Sequence, residues 1–164
     1  MIKLRALKHS DAKLMLEWLH DAQIMKNFRF DGSKLMIQDT LEFIDNANNT
    51  STSKHFAIVN EEDEYLGTVS LKNINIIDKK AEYSICLRST AQGKGVAYEG
   101  TRLVIEYAFN VLKLHRVYLN VFEENEKAWK FYEKFGFKYE GTSLDDIYLR
   151  DKFHNLKWYA IINE

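Results

Sequence analysis

At Arg88 the spacing of apolar residues changes, and that change limits the folds open to this chain. Before it, three β-rich runs, His55 to Val59, Leu66 to Leu71 and Ala81 to Leu87, are parted by polar stretches at 60–64 and 73–80 that read as hairpin turns. After it, Ala97, Thr101, Val104, Ala108 and Val111 recur at helical spacing as far as Leu112, and Arg116 to Phe122 then places Val117, Leu119 and Val121 on one strand face. Strand, glycine loop, helix and strand make a βαβ crossover beside an antiparallel meander. The fold class is therefore α/β, a mixed sheet with helices packed against it.

The flanking segments supply further elements. Ile2, Leu4 and Ala6 alternate with Lys3 and Arg5 as a first strand, and Ser10-Asp11 caps a helix bearing Leu14, Met15, Trp18 and Leu19. Another helix runs from about Ile37 to Asn46, ahead of a polar loop at 48–53. Asn125 caps a short helix carrying Ala128, Phe131, Tyr132 and Phe135, which Gly136 ends. Closing strands are expected at about Lys138 to Glu140 and from Asp146 to the region of Ile161. No linker or repeat interrupts the 164 residues, a length that suits a single domain burying roughly 70% of its unfolded surface.

Composition removes several function classes. With 23 Lys+Arg against 24 Asp+Glu, the chain has no general attraction for nucleic acid or anionic lipid, so an anionic ligand must be gripped locally. One cysteine, Cys86, excludes an internal disulfide and a Cys-rich zinc fold, and points to a reducing cytoplasm. No run approaches the roughly 18–20 apolar residues of a membrane span, and no signal peptide is expected. Without any proline, turns rely on seven glycines and on Asn, Asp and Ser.

The loop Ala91-Gln92-Gly93-Lys94-Gly95-Val96-Ala97 leads from a strand into a helix, where backbone N–H groups lack intrahelical partners and the dipole is positive. Such a place suits phosphate, held by main-chain amides with Lys94 at the rim. Tyr98 stands where a dinucleotide fingerprint needs a small residue, and Gly95 follows Lys94 where a P-loop needs Ser or Thr. On its own, the Gly-x-Gly reads first as a tight structural loop.

Further along, Asn125-Glu126-Lys127-Ala128-Trp129-Lys130-Phe131-Tyr132-Glu133-Lys134-Phe135-Gly136-Phe137 adds a second motif. Gln92-x-x-Gly95-x-Ala97 resembles the acetyl-CoA pyrophosphate motif of the GNAT N-acetyltransferases, and the Asn-x-x-Ala-x-x-Phe-Tyr-x-x-x-Gly-Phe run resembles that family's second signature. Order and separation match, and the resemblance covers nearly the whole chain. It is strongest to the branch containing ribosomal-protein and spermidine acetyltransferases.

The resemblance implies a GNAT acyl-CoA N-acyltransferase fold whose mostly antiparallel sheet is splayed between strands four and five, with acetyl-CoA as cosubstrate. Ile85, Cys86 and Leu87 would pair with the pantetheine amides, and Gln92, Gly93, Lys94, Gly95, Val96 and Ala97 would hold the pyrophosphate. Asn125, Ala128 and Phe131 fall on the cofactor side. Tyr132 lies seven residues after Asn125 and four after Ala128, on the same helical face. In the family such a tyrosine protonates the departing thiolate; spacing alone reads it first as a core aromatic beside Phe131 and Phe135.

An attacking amine must be unprotonated, so a proton acceptor is required. Related enzymes often place a glutamate in the fifth strand, where this chain has Asn120. Glu82 is the first candidate for this catalytic task and His154, in the closing hairpin, the second; either also reads as structural. Cys86 reads as a buried small residue, and His9, His20 and His55 have no metal-ligand spacing, so no metal is expected. Trp18, Phe28 and Phe30, with the loop from Asp21 to Lys34, fall where GNAT folds build the acceptor wall, and His154 is placed with them as a substrate contact.

The segment Met15-Leu16-Glu17-Trp18 resembles acetyltransferases of nucleotide-linked amino sugars, which makes a small-molecule amine the expected partner. A polyamine, a protein amino terminus, or a CoA-binding regulatory module without turnover are the alternatives. A monomer or a homodimer suits the chain.

Overall fold

The meander in the middle of the chain forms, and the computed structural model, which describes all 164 residues, extends it into one seven-stranded sheet. Strands β1 (Lys3–Ala6), β2 (Lys54–Val59), β3 (Tyr65–Asn75) and β4 (Lys80–Leu87) pair antiparallel in chain order. Strand β5 (Arg116–Phe122) joins β4 in parallel, and β7 (Lys152–Ile162) lies between β5 and the edge strand β6 (Lys138–Leu149). Helices α1 (Ala12–Leu19), α2 (Ala22–Met25) and α3 (Ile37–Ala47) come from the segment between β1 and β2. Helix α4 (Val96–Glu106) carries the crossover between β4 and β5, and α5 (Glu126–Phe135) follows β5.

Strand alternation divides the core into two layers. Val69, Leu71, Ala81, Tyr83, Val117 and Leu119 join Val104 and Ile105 of α4 on one side of the sheet. Ala57, Val59 and Cys86 join Met15, Trp18 and Leu19 of α1 and Ile44 of α3 on the other. Each fully buried Leu, Val or Ile stabilises the fold by about 1.5–3 kcal/mol, so both layers anchor the central strands. No helix is long and apolar enough to cross a membrane.

The feature that positions the site is a break in the ladder. Strands β4 and β5 pair only at Lys80↔Arg116, Ala81↔Val117 and Glu82↔Tyr118. Beyond those positions they part, while each keeps its other neighbour: β4 pairs β3 up to Gly67↔Leu87, and β5 pairs β7 up to Phe122↔Leu156. The family's expected splay between strands four and five is therefore present. Below it, the rings of Tyr132 of α5 and Phe137 pack on Tyr83 of β4, with centroids 5.8 and 5.6 Å away.

Four expectations need correction. The two closing strands form, but the turn between them lies at Arg150 and Asp151, with φ of 53° and 62°, rather than between Glu140 and Asp146, and neither residue is the Gly or Asn that would announce it. Strand β6 runs unbroken in name from Lys138 to Leu149 but shifts register between Ser143 and Ile147, which hides it from a period-of-two reading. The α4 helix gives way at Tyr107–Val111 to a wider turn, with the Leu112 N–H donating to Tyr107 O. Asp11 does not cap α1 with its side chain; it is buried, accepts from the Lys8 N–H at 2.8 Å and takes a two-pronged ion pair from Arg5 at 2.8 and 2.9 Å.

Candidate active site

Where β4 and β5 part, a cleft of about 1360 Å³ opens, lined from both halves of the molecule. At one end lies the glycine loop. Gly93 and Gly95 have φ of 74° and 78°, a region that disfavours side chains, and a Cβ on either would meet nothing within 4 Å. The glycines thus serve the backbone path rather than a close contact, and the space above them is open. The N–H groups of Gly93, Lys94, Gly95, Val96, Ala97 and Tyr98 have no acceptor in the chain; the first bond of α4 is Glu99 N to Gly95 O at 3.2 Å. Six consecutive free amides at a helix entrance could hold an anion in a protein that is not basic overall.

Side chains in this loop divide. Gln92, Gly93, Gly95 and Ala97 line the cleft. Val96 is buried in the α4 layer and does not line the cleft, while Lys94 lines a separate hollow together with Arg88 and Glu64.

Ile85, Cys86 and Leu87 all line the cleft, and β3 satisfies one edge of their backbone while the edge facing β5 is unpaired. An extended ligand with amide groups can complete that edge as an added strand. Burial, with Asp21 adding to it, pushes the Cys86 thiol far above its usual range, so it is neutral and unsuited to nucleophilic attack.

From α5, Asn125, Ala128, Phe131 and Tyr132 face the same space. Asn125 occupies the helix-capping position, yet its side chain makes no capping bond and is left free toward the cleft. The Tyr132 ring is fixed by Tyr83, Phe131 and Phe137 at 5.8, 5.6 and 5.8 Å, and its hydroxyl has no partner in the chain. Burial, with Cys86 second, raises this phenol well above the ordinary tyrosine range, so it holds its proton at neutral pH.

Trp18, Phe28 and Phe30 form one connected aromatic wall of the cleft, with centroids 6.1 and 5.8 Å apart along the chain of contacts. Trp18 Nε1 donates to the Tyr65 hydroxyl at 2.9 Å. The expected loop from Asp21 to Lys34 contains the short helix α2, which Asp21 caps by accepting from the Gln23 N–H. Arg150, at the β6–β7 turn, donates to the carbonyls of Met25, Lys26 and Phe28 and ties this wall down.

The two proton-acceptor candidates separate. Glu82 lines the cleft, with Lys72 Nζ at 3.6 Å and Asn73 Nδ2 donating at 3.2 Å. His154 does not line it: only 5% exposed, the ring packs on Phe122, with Nε2 against Leu149 O at 2.9 Å and Nδ1 against Glu124. With both nitrogens committed, His154 is neither a free base nor a substrate contact, and reaches the cleft only through Glu124. For Glu124, burial works upward, but the His154 bond and nearby charge outweigh it and hold the carboxyl below its usual range.

The cleft also gathers residues that local pattern did not single out. Arg29, bonded to Asn120 on β5, has no carboxylate partner, and Asp39, Phe43, His55 and Ser70 enter from α3, β2 and β3. Strand alternation marks the face of His55 and Ser70, but only the register shows that they meet. No group of three His, Cys, Asp or Glu side chains is placed to hold a metal.

A family model described as the acetyltransferase (GNAT) domain matches residues 2–138. The chain is similar to the spermidine N(1)-acetyltransferase of Escherichia coli K12, 30% identical over 154 residues that cover 94% of this chain and 82% of that protein. It is also similar to the putative ribosomal N-acetyltransferase YdaF of Bacillus subtilis, 33% identical over 96 residues, 58% of this chain and 52% of YdaF. Among solved structures, a spermidine N-acetyltransferase from Vibrio cholerae in complex with CoA and spermine superposes with a TM-score of 0.90 at 27% identity, covering 98% of this chain and 95% of that one.

Proposed function

The chain belongs to the GNAT acetyltransferase family, and from that premise we propose that it acetylates a small-molecule primary amine, a polyamine first, with residues 1–164 acting as one catalytic domain. It is an acetyl-CoA-dependent N-acetyltransferase. The observation that carries the acceptor reading is the set of carboxylates that line the cleft from separate elements, Asp21 at α2, Asp39 on α3, Glu82 on β4, Glu124 after β5 and Glu126 at the start of α5, beside the aromatic wall. Carboxylates recognise ammonium groups, and Trp and Phe faces attract cations and their methylene chains. The similarity to spermidine acetyltransferases supports the same reading.

Acetyl-CoA supplies an activated acyl carbonyl and a thiolate leaving group. The free amides of 93–98 hold its pyrophosphate, the unpaired edge of Ile85 to Leu87 aligns its pantetheine, and the Asn125 side chain steadies the arm. Tyr132 keeps a proton at its hydroxyl, ready for the sulfur as the carbon–sulfur bond breaks. Trp18, Phe28 and Phe30 exclude water and orient the amine.

Arg29 favours a second reading. A guanidinium in the cleft with no carboxylate partner suits a phosphate-bearing amine such as a nucleotide-linked amino sugar. Release of free CoA thiol across spermidine, spermine, nucleotide-linked amino sugars and peptides decides. The polyamine reading expects the highest kcat/KM with spermidine or spermine; preference for the amino sugar establishes the second reading, and tight CoA binding without thiol release from any amine leaves a binding module.

A further inference from the structure

On the sheet face opposite α4, a row of polar side chains leads away from the splay. His55 of β2 stands opposite Ser70 of β3, and Ser70 stands opposite Ser84 of β4. Directly paired residues of antiparallel strands share a face, and all three line the cleft. Ser84 lies just past Glu82, the last residue of β4 that pairs with β5, so the row begins where the strands have parted. His55 Nδ1 is 2.6 Å from Ser70 Oγ; Nε2 has no partner in the chain, and the Phe43 ring sits edge-on at 4.9 Å. Neither group is spent on a backbone atom, unlike His154, and neither has a part in holding the cofactor.

We propose that His55 accepts the proton of the acceptor ammonium through the Ser70 hydroxyl. This rests on the reading that an amine is acetylated in this cleft. With its proton on Nε2, the imidazole accepts at Nδ1 from Ser70, whose oxygen lone pairs then face the ammonium. As an ammonium proton passes to Ser70 Oγ, the hydroxyl proton passes to Nδ1, leaving a neutral amine and an imidazolium. The amine lone pair forms the carbon–nitrogen bond while the carbon–sulfur bond breaks and Tyr132 protonates sulfur. The surplus proton on nitrogen returns through solvent to the Tyr132 oxygen, and His55 discharges to water. One ammonium and one thioester give one amide, one thiol and one proton.

The electrostatics agree. Burial first, then Lys72, lowers His55 below the ordinary imidazole range, so the ring is neutral at pH 7. Of the charged groups on the elements around it, Lys72 on β3, paired with Glu82 of β4, and Asp39 on α3, whose carboxylate accepts from the Met36 N–H, line the cleft with it, while Lys54 on its own strand, Glu42 and Asp45 on α3 and Lys80 on β4 do not. Glu82, held by Lys72 and Asn73, tunes this site rather than taking the proton itself.

Two readouts test the assignment. With the amine the unmodified enzyme accepts, His55→Ala should lose about 10²-fold in kcat, keep its acetyl-CoA affinity, and regain turnover on addition of imidazole. Ser70→Ala preserves the imidazole and its packing and should show a similar loss; it carries the kinetic test if His55→Ala does not fold. The pH profile of the unmodified enzyme should have an acid limb below about 6.5, absent from His55→Ala. Wild-type turnover in both variants overturns the proposal. Independently of any acceptor, nitrogen-15 spectra of the free protein should show His55 as the Nε2–H tautomer titrating below the ordinary value; a proton on Nδ1, or titration above it, overturns the proposal even if the acceptor class proves different.

Discussion

Tyr132 holds its proton because burial penalises the phenolate, and nothing in the chain hydrogen-bonds the charged form. The sign follows directly: a raised acid pKa keeps the protonated donor present through neutral pH and beyond the usual tyrosine range, so any basic limb in kcat below about pH 10 belongs to another group. Tyr132→Phe should lower kcat by about 10²–10⁴ with acetyl-CoA affinity unchanged, measured by thiol release and calorimetry. Asn125 tests a different point. Its side chain makes no cap bond, so Asn125→Ala should cost less stability than the ~1 kcal/mol of a working cap, while weakening CoA about fivefold. The sequence names Tyr132 and Asn125 by spacing on one helix, but a capping position looks the same whether its side chain turns inward or toward a ligand. For His154 the converse holds: a strand histidine gives no local sign that a distant Glu124 and its own hairpin carbonyl occupy both nitrogens.

Among the elements, the βαβ crossover and the glycine loop were legible because each is written in contiguous residues. Helical spacing after Val96 and the period of two at Arg116–Phe122 fix the crossover, and Gly93 and Gly95 mark a left-handed path. The place of the β6–β7 turn was not legible, since Arg150 and Asp151 adopt positive φ without a Gly or Asn between them. That turn has a consequence for the acceptor wall. Arg150→Ala removes the donors to Met25, Lys26 and Phe28 and should raise the amine KM about tenfold, with kcat and acetyl-CoA affinity little changed, in steady-state kinetics. An equal fall in kcat would show instead that the hairpin shapes the reacting centre.

At the scale of the whole molecule, one sheet is asked to do two opposed things: stay rigid, and leave part of its ladder unmade. The layers on its two faces, with α4 and α5 on one side and α1 to α3 on the other, hold β4 and β5 apart after Glu82 and Tyr118 while each keeps its outer partner. With overall charge near neutral, we propose that anion binding falls to the free backbone amides at the entrance of α4. The most direct measurement is an acetyl-CoA titration of the isotope-labelled chain, following backbone amides by NMR. Saturable shifts should be largest at Gly93 to Tyr98 and at Ile85 to Leu87. Binding that leaves those amides unmoved and shifts another part of the sheet would contradict the account.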